Sequence, residues 1–267
     1  MIQFIACDMD GTLLNDKKEL SDKSRNYIEQ LTKKGIRFAL ASGRSREGIC
    51  GYFQGLSCAM VTDNGARAYT EEGQALFCDG IAYEDTIKVM KYIDDIEYMH
   101  YFVVGDQYVY VRKSEPEQFL TEAQYYFYPP IIATDNWEEV FSSDQIIKFA
   151  INTGWDGSNE EKGLRLIKSL PCSENYSMVL SGDGWVELMK AGVSKGNALR
   201  RLCGYYGISM DEIMVFGDYL NDLNMLEITP NSYAMINGHE KVKKFCNHVT
   251  EYTNNEDGVI RELEKFF

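Results

Sequence analysis

Residues 2–14, IQFIACDMDGTLL, limit what this chain can be more than any other stretch. Ile2, Phe4, Ile5, Ala6 and Cys7 read as a strand buried on both faces of a parallel sheet, and the strand runs straight into two carboxylates, Asp8 and Asp10. In open α/β sheets ligands bind at the carboxyl ends of the strands, and side chains at i and i+2 of an extended chain point the same way. Two acids therefore aim into one crevice. Gly11 lets the backbone turn sharply behind them, and Thr12 can hydrogen-bond within that turn.

Like charges this close repel unless a cation joins them or one holds a proton. A hard divalent ion with oxygen ligands, Mg2+, meets the first condition. One carboxylate can then attack an electrophile such as phosphorus while the other exchanges a proton with the leaving oxygen. On these residues alone, a turn carrying aspartates as caps, with DG as a hairpin signal, stays open.

The rest of the chain reads as a doubly wound α/β sheet. A helix over 22–34 has Ser21 as N-cap and Gly35 as its stop, and a strand at 36–40 then delivers Ser42, Gly43 and Arg44 to the edge that carries Asp8. A short helix at 45–53 leads to a third strand ending at Asn64-Gly65, and a hairpin follows about Glu72-Gly73. From residue 83 the pattern changes to a helix at 84–95, aromatic strands at 98–104 and 107–112, and a helix near 116–126. A strand at 145–152, a helix at 159–170 and strands at 177–181 and 185–188 complete this block. Residues 83–188 thus read as an inserted, largely antiparallel α+β module with helices on one face, and 1–82 with 189–267 as the core. The linkers at its two ends suit a lid. The core resumes with Lys195 at a helix start, a strand at 213–216 ending at Gly217-Asp218, a helix at 222–227, a strand at 232–235 and helices at 239–245 and 258–267.

Charge narrows the function. A net charge of −14 excludes nucleic acid or an anionic membrane surface as the main partner, since both demand a basic footprint, and no apolar run spans a bilayer. The aromatic residues of the module, Tyr98 to Tyr110 and Tyr125 to Tyr128, lack interleaved basic residues and read as core and sheet surface. Seven cysteines without a CxxC pair and three scattered histidines argue against disulfides, zinc and a Ser/His/Asp triad, and with no leader pattern point to a cytoplasmic protein. An anionic substrate then needs local cations.

The strand ends supply what phosphoryl transfer requires. Asp8 is placed to attack in line; Ser42 and nearby amides can bind the non-bridging oxygens; Lys195 brings a point charge; Asp218 and Asp222 complete an oxygen-rich metal site with Asp8 and the main chain of Asp10. Singly, each has a plainer reading: Ser42 as a helix cap, Lys195 as a solvated charge, Asp218 and Asp222 as acids meeting a helix dipole.

DMDGTLL, ASGR, TDNGA, KAGVSKGNAL, GDYLNDLNML and NNEDGV, in this order and spacing, resemble the haloacid dehalogenase superfamily of aspartyl phosphohydrolases, in particular its Cof-type members with a large type IIB cap. The resemblance implies a Rossmann-like core with an inserted cap that contributes specificity, and Mg2+-dependent hydrolysis of sugar phosphates or similar small phosphorylated metabolites. It implies Asp8 as nucleophile, Asp10 as acid/base, Ser42 and Lys195 as phosphate binders, and Asp8, Asp10 and Asp218 as metal ligands, with Asn221 and Asp222 supporting metal and lysine. Gly43, Arg44 and Asn64 are candidates for substrate contacts, and a monomer or small homo-oligomer is expected. Met189-Lys190-Ala191 stands where relatives often carry a proline. Phosphoryl transfer to a second hydroxyl, or a receiver-like switch phosphorylated on Asp8, are the competing functions.

Overall fold

A computed structural model of the chain describes residues 1–96, 99–117, 119–120, 130–152, 165, 168–170, 173–180 and 185–267. It divides into two compact units, Met1–Phe77 with Ser194–Phe267, and Cys78–Val193. The divisions fall at 77/78 and 193/194, where the sequence pattern changes at 82/83 and 188/189.

The first unit opens with β1 (Phe4–Cys7), α1 (Asp22–Lys33), β2 (Arg37–Ala41), α2 (Arg46–Cys50), β3 (Ala59–Thr62), β4 (Arg67–Tyr69) and β5 (Ala75–Cys78). Local chemistry sets the boundaries of α1. Ser21 Oγ accepts from the Ser24 N–H at 2.9 Å, and Gly35 takes φ +83 just past the last turn.

The second unit comprises α3 (Tyr83–Asp94), β6 (His100–Gly105), β7 (Val109–Arg112), β8 (Ile131–Thr134), α4 (Trp137–Ser143), β9 (Ile146–Asn152), β10 (Tyr176–Leu180) and β11 (Trp185–Lys190). Its sheet runs β10-β11-β9-β6-β7-β8. Among the described residues its strands pair antiparallel except β7 with β8. Period-two alternation separates its faces: Tyr101, Val103, Phe149, Ile151, Val186 and Leu188 pack with α3 and α4, while Phe102, Val104, Val109 and Val111 pack with Phe119. The second face is thus also covered, where the sequence reading put helices on one side. That reading also passed over β8 and α4. β8 is a half-exposed edge strand behind a proline pair, and α4 is announced only by Asn136, whose side chain accepts from the Glu139 N–H at 3.4 Å. The helices expected at 116–126 and 159–170, and the turn 182–184, lie wholly or largely outside the described residues.

The first unit resumes with α5 (Lys195–Tyr206), β12 (Ile213–Gly217), α6 (Leu223–Leu226), β13 (Ser232–Ala234), α7 (Glu240–Phe245), the two-residue β14 (His248–Val249), which the sequence reading lacks, and α8 (Gly258–Leu263). Its sheet runs β14-β13-β12-β1-β2-β3-β4-β5, parallel from β14 to β3, and β4 turns antiparallel to β3. This is the expected doubly wound sheet. Ile5, Cys7, Phe38, Leu40 and Phe216 face α1 and α8; Phe4, Ala6, Ala39, Ala41, Ala59 and Val215 face α5 and α7. The alanines matter, because a face of small side chains lets α5 lie close to the strands. Cys7 pairs with both Leu40 and Phe216, so the residues that follow β1, β2 and β12 emerge side by side. Among the described residues no helix is long and apolar enough to cross a membrane, and the cysteines are free thiols.

The start of α5 is fixed by contact with the turn after β3. Gly65 has φ +104, and a Cβ there would lie 2.2 Å from the Ser194 carbonyl oxygen. Backbone atoms on both sides leave no room to yield. Gly65→Ala is expected to destabilise the protein by about 2–4 kcal/mol in denaturant titration; a loss below about 0.5 kcal/mol would show that the turn and α5 part readily.

Candidate active site

Asp8 follows β1 directly, its N–H donating to the Phe216 carbonyl at 3.0 Å, which fixes it to the strand end. Lys195, first residue of α5, is 1% exposed, and its Nζ donates to Asp8 Oδ1 at 2.6 Å and to Asp222 Oδ1 at 2.7 Å. Asp222 spends its other oxygen on the main chain, with Oδ2 accepting from the N–H groups of Asp218 and Tyr219 at 2.9 and 3.1 Å. One carboxylate thus orients the lysine and shapes the turn that carries Asp218. Asp218 Oδ1 in turn accepts from the Thr12 hydroxyl at 2.8 Å. Thr12 reaches across to a distant strand end, where the sequence placed its bond within its own turn. Gly11 (φ +84) is required behind it: a Cβ there would stand 2.4 Å from Asp218 Oδ2.

Carboxylate oxygens of Asp8, Asp218 and Asp222 lie within 4.8 Å of one another. Burial raises the Asp8 carboxyl well above its ordinary range; Lys195 opposes this, while Asp222 and Asp218 add to it. Burial, with Asp222 beside it, raises Asp218 to about 7. For Lys195 burial favours the neutral amine, but Asp222 and Asp8 outweigh it and raise its pKa. The cluster holds excess negative charge with one buried cation, a state that a further cation relieves.

The Asp10 carboxylate is engaged elsewhere, consistent with a metal site that draws on the main chain of Asp10. It stands outside the trio: Arg44 Nε and Nη2 each donate to it at 2.7 Å, and Lys18 Nζ lies 2.9 Å from Oδ1. Partial burial pushes its pKa up, but Arg44 and Lys18 prevail and lower it. Arg44, read as a substrate contact, is held here by Asp10 and donates to the Tyr52 hydroxyl at 3.2 Å. Neither Lys18 nor Tyr52 carried a sequence signal.

The remaining residues frame the same edge. Ser42 is 2% exposed and its Oγ accepts from the Arg44 N–H at 3.2 Å; the cap of α2 is Ser45, so Ser42 is no helix cap. Asn64, in left-handed backbone at φ 53, donates its N–H to the Ser42 carbonyl at 3.0 Å and accepts from Asn221 Nδ2 at 3.2 Å. Its side-chain amide lies 3.1 Å from where a Gly43 Cβ would be. Asn64 and Asn221 thus tie the loop after β2 to the loop after β12.

The family model of haloacid dehalogenase-like hydrolases matches residues 5–263. Phosphatase YwpJ of Bacillus subtilis is 28% identical over 98% of this chain and 99% of its own. An Escherichia coli K12 protein named 5-amino-6-(5-phospho-D-ribitylamino)uracil phosphatase YbjI is 28% identical over 99% of this chain and 96% of its own. The solved structure of SMU.1108c from Streptococcus mutans UA159 superposes with a TM-score of 0.88 at 25% identity, covering 100% of this chain and 99% of that one. The parallel sheet, the inserted second unit and these matches define a haloacid dehalogenase-type enzyme. The chain belongs to the haloacid dehalogenase-like hydrolases, as a Cof-type phosphatase.

Lys195→Met leaves Asp8 and Asp222 buried and unpaired, and is expected to cost about 3–5 kcal/mol of stability near pH 8. The loss shrinks as pH falls and the raised Asp8 carboxyl takes up its proton. A loss under about 1 kcal/mol at the higher pH contradicts the charge pairing.

A raised carboxyl binds more protons folded than unfolded, so its contribution to stability falls as pH rises from its unfolded value toward its folded one, about 7 for Asp218. In chelator, the melting temperature is expected to drop between about pH 5 and pH 7, and to drop less in Asp218→Asn. Equal drops would place the raised pKa elsewhere.

Proposed function

We propose that the chain hydrolyses small phosphate monoesters, sugar phosphates or similar metabolites, with Mg2+ and through an aspartyl-phosphate on Asp8. The observation that carries this reading is the Asp8 carboxylate, buried at a strand end, held by Lys195 and grouped with Asp218 and Asp222. The donor set fits a hard divalent cation, being all carboxylate oxygen and over-negative for the one lysine it contains. Asp222 has both oxygens bonded to Lys195 and the main chain, so Asp8 and Asp218 are the carboxylates that would hold the ion, joined by the main chain of Asp10. Bound there, Mg2+ supplies positive charge against the phosphoryl oxygens.

In the first half-reaction Asp8 attacks phosphorus, the bond from phosphorus to the substrate oxygen breaks, and Asp10 protonates the leaving alkoxide. Ser42 and Lys195 hold the non-bridging oxygens. In the second half Asp10 takes a proton from water, which attacks the phosphoryl group; inorganic phosphate leaves and Asp8 is restored. Arg44 and Lys18 keep Asp10 ionised, which suits the second half. The first half needs a protonated Asp10, so substrate entry must loosen the Arg44 pair. The E. coli relative's name supports a phosphorylated sugar-derived substrate. The second unit, an insertion with its own hydrophobic cores, is assigned substrate selection.

Asp8→Asn is expected to lower phosphate release from an aryl phosphate by at least about a thousandfold, with circular dichroism unchanged. Chelator should abolish wild-type turnover and Mg2+ restore it. Turnover within about tenfold of wild type in the variant would refute the nucleophile.

A further inference from the structure

The NNEDGV motif takes no part in the steps above, yet the side chains of Asn254 and Asn255 bond the loop that follows Asp10. Asn254 Nδ2 donates to the Leu14 carbonyl and to Asp16 Oδ1, both at 3.0 Å. The Asn254 N–H donates to Asn237 Oδ1 at 3.1 Å, and Asn237 Nδ2 donates to the Gly11 carbonyl at 2.8 Å. A backbone N–H only donates and a carbonyl only accepts, so the orientation of the Asn237 amide is fixed by its two partners.

Both ends of this bridge bear on Asp218. On one side, Gly11 packs against Asp218 Oδ2, and Thr12 bonds Oδ1 at 2.8 Å. On the other, a Cβ on Gly238, the neighbour of Asn237, would lie 2.8 Å from the Asp218 carbonyl oxygen, and the His239 N–H donates to that oxygen at 2.8 Å. Asn237 therefore links the loop carrying Asp8, Asp10 and Thr12 to the backbone beneath Asp218. It is itself exposed, and among the described residues its side chain bonds Gly11 and Asn254 and no acid of the trio.

We propose that Asn237 is a positioning residue for the metal site: by holding the Gly11 carbonyl it keeps the Gly11-Thr12 peptide against Asp218 and so sets the spacing of the Asp8 and Asp218 carboxylates. The inference rests on the Mg2+ reading of the site. A side chain that serves the fold alone would alter melting and leave metal affinity intact. A positioning residue does the reverse, as partners behind metal ligands commonly do.

The test uses the full chain with Asn237→Ala and with Asn237→Leu, which keeps the volume and removes the donor. Mg2+ is titrated calorimetrically without substrate, melting is followed in chelator, and kcat and KM are measured on an aryl phosphate. Mg2+ affinity is expected to weaken roughly three- to tenfold in both variants, with KM within about twofold and little change in melting. Wild-type binding with both variants within about twofold of it overturns the inference, as does lost melting temperature with affinity retained. A wild-type chain that binds no Mg2+ overturns the metal site itself, and the inference with it.

Discussion

The pairing of Lys195 with Asp8 and Asp222 is the contact on which the site depends. An ammonium and two carboxylates out of water are costly unless each finds its partners, and here the geometry closes: the lysine donates to both acids, and the second oxygen of Asp222 is bonded by two backbone amides. Packing makes this possible. The alanine-rich face of β1, β2 and β3 lets α5 lie close, and Gly65 lets its first turn meet the loop after β3 without a side chain between.

The same strand end places two neighbouring acids in opposite environments. Asp8 sits in a buried, over-negative group whose protonation is favoured until a cation arrives. Asp10, two residues on, lies where the chain has turned, and Arg44 and Lys18 hold it ionised. In a chain of net charge −14 these local cations, with a metal, are also what an anionic ester can meet at close range.

The core was legible because its signals are local. Apolar runs ending in Asp8, Ser42, Asn64 and Asp218 mark strands whose ends share one edge once the connections are parallel, and Ser21 and Gly35 mark the limits of the first helix. What the sequence hid depends on side chains meeting across long separations. Asp10 meets Arg44, Thr12 meets Asp218 and Asn237 meets Gly11 only because the fold brings their loops together. The second unit was less legible for another reason: β8 and α4 are short, half-exposed elements, and a parallel pairing of β7 with β8 breaks the run of hairpins that the sequence suggested.

The measurement closest to the central claim is mass spectrometry of the chain acid-quenched during turnover of a phosphate ester with Mg2+. A peptide containing Asp8 that carries one added phosphoryl group, absent before substrate is mixed in and absent from Asp8→Asn, is the predicted result. Sustained phosphate release with a phosphoryl group found on another residue, or on none at any quench time, would contradict it.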